Sequence, residues 1–132
     1  MKEKVYEELC HNYRFFLTWR HAAFAGNILA LGGTIALSIS AVKADAETAY
    51  LIPLFASPIG FFLWLLDLKI RRIYRALYKS GEDLEGKYKG YFKSIKGMRV
   101  PLIKVSHSSV LNIVYWSSSL GLIYYSYLIK GN

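Results

Sequence analysis

The feature that most constrains this chain is the stretch from Tyr50 to Tyr78. It opens as LIPLFASPIGFFLWLL, without a charge, and passes directly into DLKIRRIYRALY, dense in basic residues. A helix written this way leaves lipid and enters a basic aqueous face. It predicts an integral membrane protein and puts the residues after Leu66 on the cytoplasmic side.

The 132 residues form one predicted membrane domain, 1–132. Seventeen Lys and Arg oppose nine Asp and Glu, a net charge of +8. Such an excess fits nucleic acid, anionic lipid or plain topology, and its distribution separates them. Residues 67–104 carry 11 Lys and Arg and residues 1–21 carry 4, against one each in 43–47 and 130–132. That pattern predicts a cytoplasmic N-terminus, a cytoplasmic 67–104 segment and an external C-terminus. The single cysteine, Cys10, excludes an internal disulfide framework.

In chain order, residues 1–21 read as a cytoplasmic or interfacial helix with Val5, Leu9, Tyr13 and Phe16 on one face. Trp19, Arg20 and His21 stand where apolar sequence begins, Trp as an interfacial anchor and Arg20 expected to snorkel to headgroups. Ala22–Val42 is uncharged and long enough to cross a hydrocarbon core of about 30 Å. Its small residues, Ala22, Gly26 and Ala30 and then Gly32 and Ala36, predict close helix packing. Ala44-Asp45-Ala46 resembles a signal-peptidase site, but the leader is too long and acidic for a signal peptide. Lys43–Glu47 is a polar turn, so the second span, 49–66, returns antiparallel. Pro53 is expected in its first turn, and Pro58 is expected to kink it and free the carbonyl near Leu54.

Beyond Asp67 the pattern predicts an amphipathic helix with Leu66, Ile70, Ile73 and Leu77 on one face. Asp67 and Arg71, four apart, are set to pair. Ser80-Gly81 is expected to punctuate this helix, and Glu82, Asp83 and Glu85 to open the next. That next stretch has Leu84, Tyr88, Tyr91 and Ile95 on one side, and Pro101 marks its limit. The third span is 110–129. Ser108, Asn112, Tyr115, Ser119 and Ser126 fall on one of its stripes, and Asn27, Thr34 and Ser38 form a similar stripe in the first span. The fold class expected is an all-α membrane protein of three transmembrane helices, the second continuing into a basic cytoplasmic helix.

No metalloprotease, redox, nucleophile-elbow or phosphate-loop motif occurs, so neither catalysis nor a cofactor or metal is expected. Cys10 and His11 are adjacent and point about 100° apart on a helix, which does not make a metal pair. The basic segment has three readings: topology with anionic lipid, a site for an anionic nucleotide or oligonucleotide, or docking of an acidic protein. Arg71, Arg72, Arg75, Lys79, Lys87 and Lys89 are the candidate phosphate contacts. The two polar stripes have two readings, helix packing or the lining of a pore in an oligomer. The pore candidates are Asn27, Thr34, Ser38, Asn112, Tyr115, Ser119 and Ser126.

W-R-H-x-A-F-A-G at Trp19–Gly26, L-W-L-L-D-L-K-I-R-R at Leu63–Arg72 and G-E-D-L-E at Gly81–Glu85 together resemble small bacterial membrane effectors. These are the SLATT-like and Hailong-type proteins of anti-phage defence systems. The resemblance covers roughly Tyr13–Glu85. It implies a homo-oligomeric channel, a tetramer being one expected number, in the bacterial cytoplasmic membrane. It also implies opening controlled by a nucleotide-derived signal from a partner synthase. Many such proteins carry a soluble sensor domain and this sequence shows none, so sensing would fall to residues 67–104. The alternative is a non-conducting membrane adaptor that anchors a soluble partner.

Overall fold

A computed structural model describes residues 2–86, 90–97 and 106–131, the side chains of 95–97 excepted. Among the described residues the chain forms five helices and no strand: α1 (Lys2–Lys43), α2 (Leu51–Ala56), α3 (Pro58–Glu85), α4 (Tyr91–Gly97) and α5 (His107–Gly131). The chain divides into two units, one of residues 1–21 and 67–106, the other of residues 22–66 and 107–132.

Two stretches, Lys2–Lys43 and Leu51–Glu85, are long and apolar enough to cross a membrane. Only 17% and 22% of their most apolar windows are buried within the chain. The core helix of a soluble protein hides such a stretch, whereas here Leu29, Leu37, Phe55 and Phe62 are largely exposed. The third expected span lies in α5. Asn112 and the interleaved serines and tyrosines keep α5 out of that apolar pair, although it is long enough.

In the unit built on residues 22–66 and 107–132 the helix is interrupted where the kink at Pro58 is expected, although Ser57 keeps a helical backbone. Helix α2 ends at Ala56 and α3 begins at Pro58, with Pro53 in the first turn of α2. Proline has no N–H to offer the carbonyl four residues earlier, which is Leu54. The Ser57 hydroxyl donates to that carbonyl at 2.8 Å, so the proline leaves no orphan acceptor there. Gly60 lets α5 approach closely. A Cβ at Gly60 would stand 2.6 Å from Ser119 Oγ and 2.7 Å from the Tyr115 carbonyl oxygen. Phe61, Trp64 and Trp116 pack edge to face or tilted across the same pair of helices, with centroids 5.2–5.8 Å apart.

The unit built on residues 1–21 and 67–106 has an aromatic core. Phe92 is fully buried, with Tyr13 at 5.3 Å, Tyr78 at 5.8 Å and Tyr6 at 6.0 Å between ring centroids. Cys10 is buried in the same cluster, while His11 beside it is exposed. Burial among these rings pushes the Tyr13 phenol up from its ordinary value.

Here the structure corrects two expectations. Ser80-Gly81 does not end the helix, which continues to Glu85. A glycine costs a helix about 1 kcal/mol relative to alanine. At Gly81 the Phe92 ring occupies the space a Cβ would need, so packing of that ring compensates. Glu82, Asp83 and Glu85 therefore close α3 rather than open a new helix. The actual stop is Gly86, whose φ of +54° is the left-handed conformation glycine adopts without strain. Tyr88, Lys87, Lys89 and Pro101 lie outside the described residues.

Candidate functional site

Two constellations of buried polar groups stand out, one in each unit. The first is ionic. Arg20, Asp67 and Arg71 are 3%, 2% and 7% exposed. Arg20 Nε donates to Asp67 Oδ1 at 2.7 Å, and Arg71 Nε donates to Asp67 Oδ2 at 2.6 Å. Arg71 Nη2 lies 2.5 Å from the same Oδ2. The guanidinium of Arg20 also sits over the Tyr74 ring, 5.2 Å from its centroid. One carboxylate between two guanidiniums leaves an excess of one positive charge in a shielded place. Such a cluster persists because each charge is paired and hydrogen-bonded; removal of one member exposes the others to the full cost of burial.

The pairing of Asp67 with Arg71 is the expected one, at four residues on one face. The position of Arg20 is a correction: it does not reach out toward headgroups but turns inward. An opposite charge across from it, with an aromatic face alongside, outcompetes the interface. Trp19 next to it remains exposed. Of the candidate phosphate contacts, Arg71 is buried in this triad, while Arg72, Arg75 and Lys79 are exposed, with Lys69 nearby on α3. Lys87 and Lys89 lie outside the described residues.

The same unit holds a second device around Glu85. The Tyr6 hydroxyl donates to Glu85 Oε1 at 2.7 Å and accepts from the Tyr91 N–H at 3.1 Å. The Phe92 N–H donates to Oε1 at 2.7 Å and the Lys93 N–H to Oε2 at 3.0 Å. The three N–H groups that open α4 are thus satisfied by one carboxylate and one phenol. A Cβ at Gly90 would collide with that carboxylate. Burial alone would raise the Glu85 pKa; the Tyr6 hydroxyl and the two amides outweigh it and hold the group below its ordinary value. Burial, then the bond to Glu85, pushes Tyr6 up to about 12.

The second constellation is a seam of small polar residues in the unit of residues 22–66 and 107–132. Asn27, Thr34 and Ser38 of α1 are buried, as are Tyr115, Ser118, Ser119 and Ser126 of α5. Asn27 Nδ2 donates to Ser118 Oγ at 3.0 Å. Trp64 Nε1 donates to Asn112 Oδ1 at 3.1 Å, and Ser126 Oγ to the Tyr50 carbonyl at 2.7 Å. Thr34 and Ser38 donate to carbonyls one turn back, those of Ala30 and Thr34. Ser119 Oγ has no hydrogen-bond partner among the described residues; it lies against Gly60, whose Hα is a weak C–H donor in that direction.

Both expected stripes therefore face protein, as lipid exposure of amide and hydroxyl groups would forbid. Their partners lie within one chain but not on each other: Ser118 for Asn27, Trp64 for Asn112 and the Tyr50 carbonyl for Ser126. The space left beside Asn27, Thr34, Gly60 and Ser118 is about 10 Å³, the scale of one water. Sequence reasoning missed Ser118 and Gly60. The signal for Ser118 was the run Ser117–Ser119, and for Gly60 a glycine two residues after Pro58.

The small residues of α1 divide differently from the expected grouping. Ala22, Gly26, Gly33 and Ala36 face away from the rest of the chain, with nothing within 4 Å of a Cβ built at Gly26, Gly32 or Gly33. Ala30 is half-buried toward the seam. Comparison with known proteins finds no family model, no curated relative and no solved structure that matches the chain.

Proposed function

We propose that this chain is a homo-oligomeric membrane effector of the channel type in the bacterial cytoplasmic membrane. Its N-terminus and residues 67–104 lie on the cytoplasmic side. The conduction path runs between copies, and opening is controlled at the exposed basic face of Lys69, Arg72, Arg75 and Lys79 by an anionic nucleotide-type signal or partner. The role in anti-phage defence is the one the resemblance implies. The observation that carries this reading is the outward face of α1. Ala22, Gly26, Gly33 and Ala36 lie along it beside exposed Leu29 and Leu37, with nothing packed on the glycines. In a membrane such a face favours close approach of another helix. Reconstitution into liposomes tests the reading. Dye-reported ion flux together with an oligomer mass by light scattering supports it, and a monomer without flux removes it.

A specific observation favours the adaptor as a second reading. Asn27, Asn112 and Ser126 all have partners inside the chain, so the polar seam has little left to line a path. An oligomer that conducts nothing, yet retains an acidic partner at the basic face, selects that reading.

A further inference from the structure

A groove runs between α1 and α5 on the unit of residues 22–66 and 107–132. One part, about 410 Å³, is walled by Ile28, Leu31 and Ile35 of α1 and by Val114 and Leu122 of α5. Gly121 lines it without a side chain, and nothing stands within 4 Å of the Cβ it lacks. Tyr125 also lines a second part of about 970 Å³, where Ile39 and Val42 face Leu128. The apolar wall follows α1 from Ile28 to Val42, about 21 Å at the helical rise of 1.5 Å per residue. That exceeds half of a hydrocarbon core about 30 Å thick, the reach of one lipid leaflet.

At its far end the groove becomes charged. Lys43 and Lys130 come from the ends of the two helices, and Asp45 and Glu47 from the turn between α1 and α2. All four are exposed, and Lys130 Nζ lies 5.4 Å from the Tyr50 ring centroid. Two cations and two carboxylates give this mouth no net charge but both signs. A purely anionic headgroup would meet the carboxylates as well as the lysines. A headgroup with one phosphate and one primary ammonium meets partners for both.

We infer that this groove binds a phospholipid of the phosphatidylethanolamine class. An acyl chain lies along α1 and α5, the phosphate meets Lys43 and Lys130, and the ammonium donates to Asp45 and Glu47. A quaternary choline headgroup has no N–H to donate, so it is the weaker ligand. A helix from a second copy is the other conceivable occupant, but its apolar surface would run onto four charges. The small residues offered to such a copy, Gly26 and Gly33 among them, do not line this groove. The inference rests on the membrane placement in the proposed function and not on conduction.

The experiment uses the full chain in vesicles holding equal fractions of phosphatidylethanolamine, phosphatidylglycerol and phosphatidylcholine. The lipid retained after mild detergent extraction is counted by native mass spectrometry. Wild type should retain phosphatidylethanolamine above the other two. Asp45→Asn with Glu47→Gln should lower that preference roughly threefold, within the range of exposed ion pairs. Asparagine tolerates the positive φ of 52° at position 45, so this variant keeps the turn. Gly121→Leu should reduce retention of all three lipids. Headgroup-independent retention, or a preference untouched by the turn variant, overturns the inference. So does cross-linking of Gly121→Cys between copies in place of lipid retention. Lipid preference without flux sinks only the channel reading, whereas failure to partition into vesicles sinks both.

Discussion

Arg20 and Asp67, 47 residues apart in sequence, meet at 2.7 Å in a site where both side chains are nearly inaccessible. The contact ties the end of the N-terminal 1–21 segment of α1 to the start of the basic half of α3. Arg71 approaches the same carboxylate from one turn further along α3.

Asp67→Ala leaves two buried guanidiniums without their shared anion. Loss of one member of a buried ionic cluster costs about 3–5 kcal/mol. We expect a large drop in the thermal midpoint of the detergent-solubilised protein, followed by helical circular dichroism. Arg20→Met combined with Asp67→Leu and Arg71→Met, which removes every charge together, should cost much less. Equal damage from both variants would mean that the charges act through something other than each other.

At Gly60 the prediction is steric. A methyl group there meets the Tyr115 carbonyl, which belongs to a helix backbone and cannot step aside. Gly60→Ala should cost about 1–3 kcal/mol, the range of overpacking. Gly26→Ala, inside α1 with open space around it, should not destabilise a single chain and should gain up to about 1 kcal/mol from helix propensity. Gly26→Leu instead reports on assembly: its expected effect is a reduced oligomer mass. A Gly60→Ala protein as stable as wild type would show that α3 and α5 are further apart than described.

The Glu85 device predicts a two-sided pH response. Glu85 titrates below its ordinary value in the folded unit, so its contribution is present above the ordinary carboxylate pKa of about 4.3. It fades as pH falls through the depressed value. Tyr6 is raised, so its contribution is complete below the ordinary phenol pKa of about 10 and is lost as pH climbs toward about 12. Near-ultraviolet circular dichroism of the Phe92 cluster should show both arms. Glu85→Gln should abolish the acid arm and Tyr6→Phe should weaken the alkaline one. A flat profile in wild type would remove the device.

Access of water to the seam is the sharpest check on conduction. In the state described, Ser119 is buried against Gly60 while Leu120 is 57% exposed on the outer face of α5. Ser119→Cys should resist a water-soluble thiol reagent in liposomes at rest. Reaction at 119 but not at Leu120→Cys during ion flux would mean that the seam opens. Flux with 119 fully protected would put the path between copies.

Parts of this arrangement were legible in the sequence, and the reason is distance along the chain. The helix interruption at Pro58, the freed Leu54 carbonyl and the Asp67–Arg71 pair are relations within one or two turns, where helical geometry suffices. The inward stripes were legible as stripes because a period of 3.6 residues puts Asn27, Thr34 and Ser38 on one line. What they face was not: Ser118, Tyr50 and Trp64 are partners that only the packing of separate helices supplies. The roles of Gly81 and Glu85 differ from the sequence expectation for the same reason. Helix propensity and end-charge rules describe an isolated helix, whereas the Phe92 ring and the first amides of α4 decide both positions. Sequence alone directs Arg20 to the interface, because nothing nearby in the chain offers it an anion.

The seam has a consequence for biosynthesis. Asn27 is translated 91 positions before Ser118, and the Tyr50 carbonyl 76 before Ser126. Until α5 emerges, the Asn27 amide lacks the partner that it has in the finished chain, and the Tyr50 carbonyl lacks the hydroxyl of Ser126. At about 5–20 residues per second that interval lasts several seconds. A chain halted before His107 therefore holds the Asn27 amide and the Trp64 indole without Ser118 and Asn112, their partners in the finished chain. The polar seam can close only once the last helix has been made.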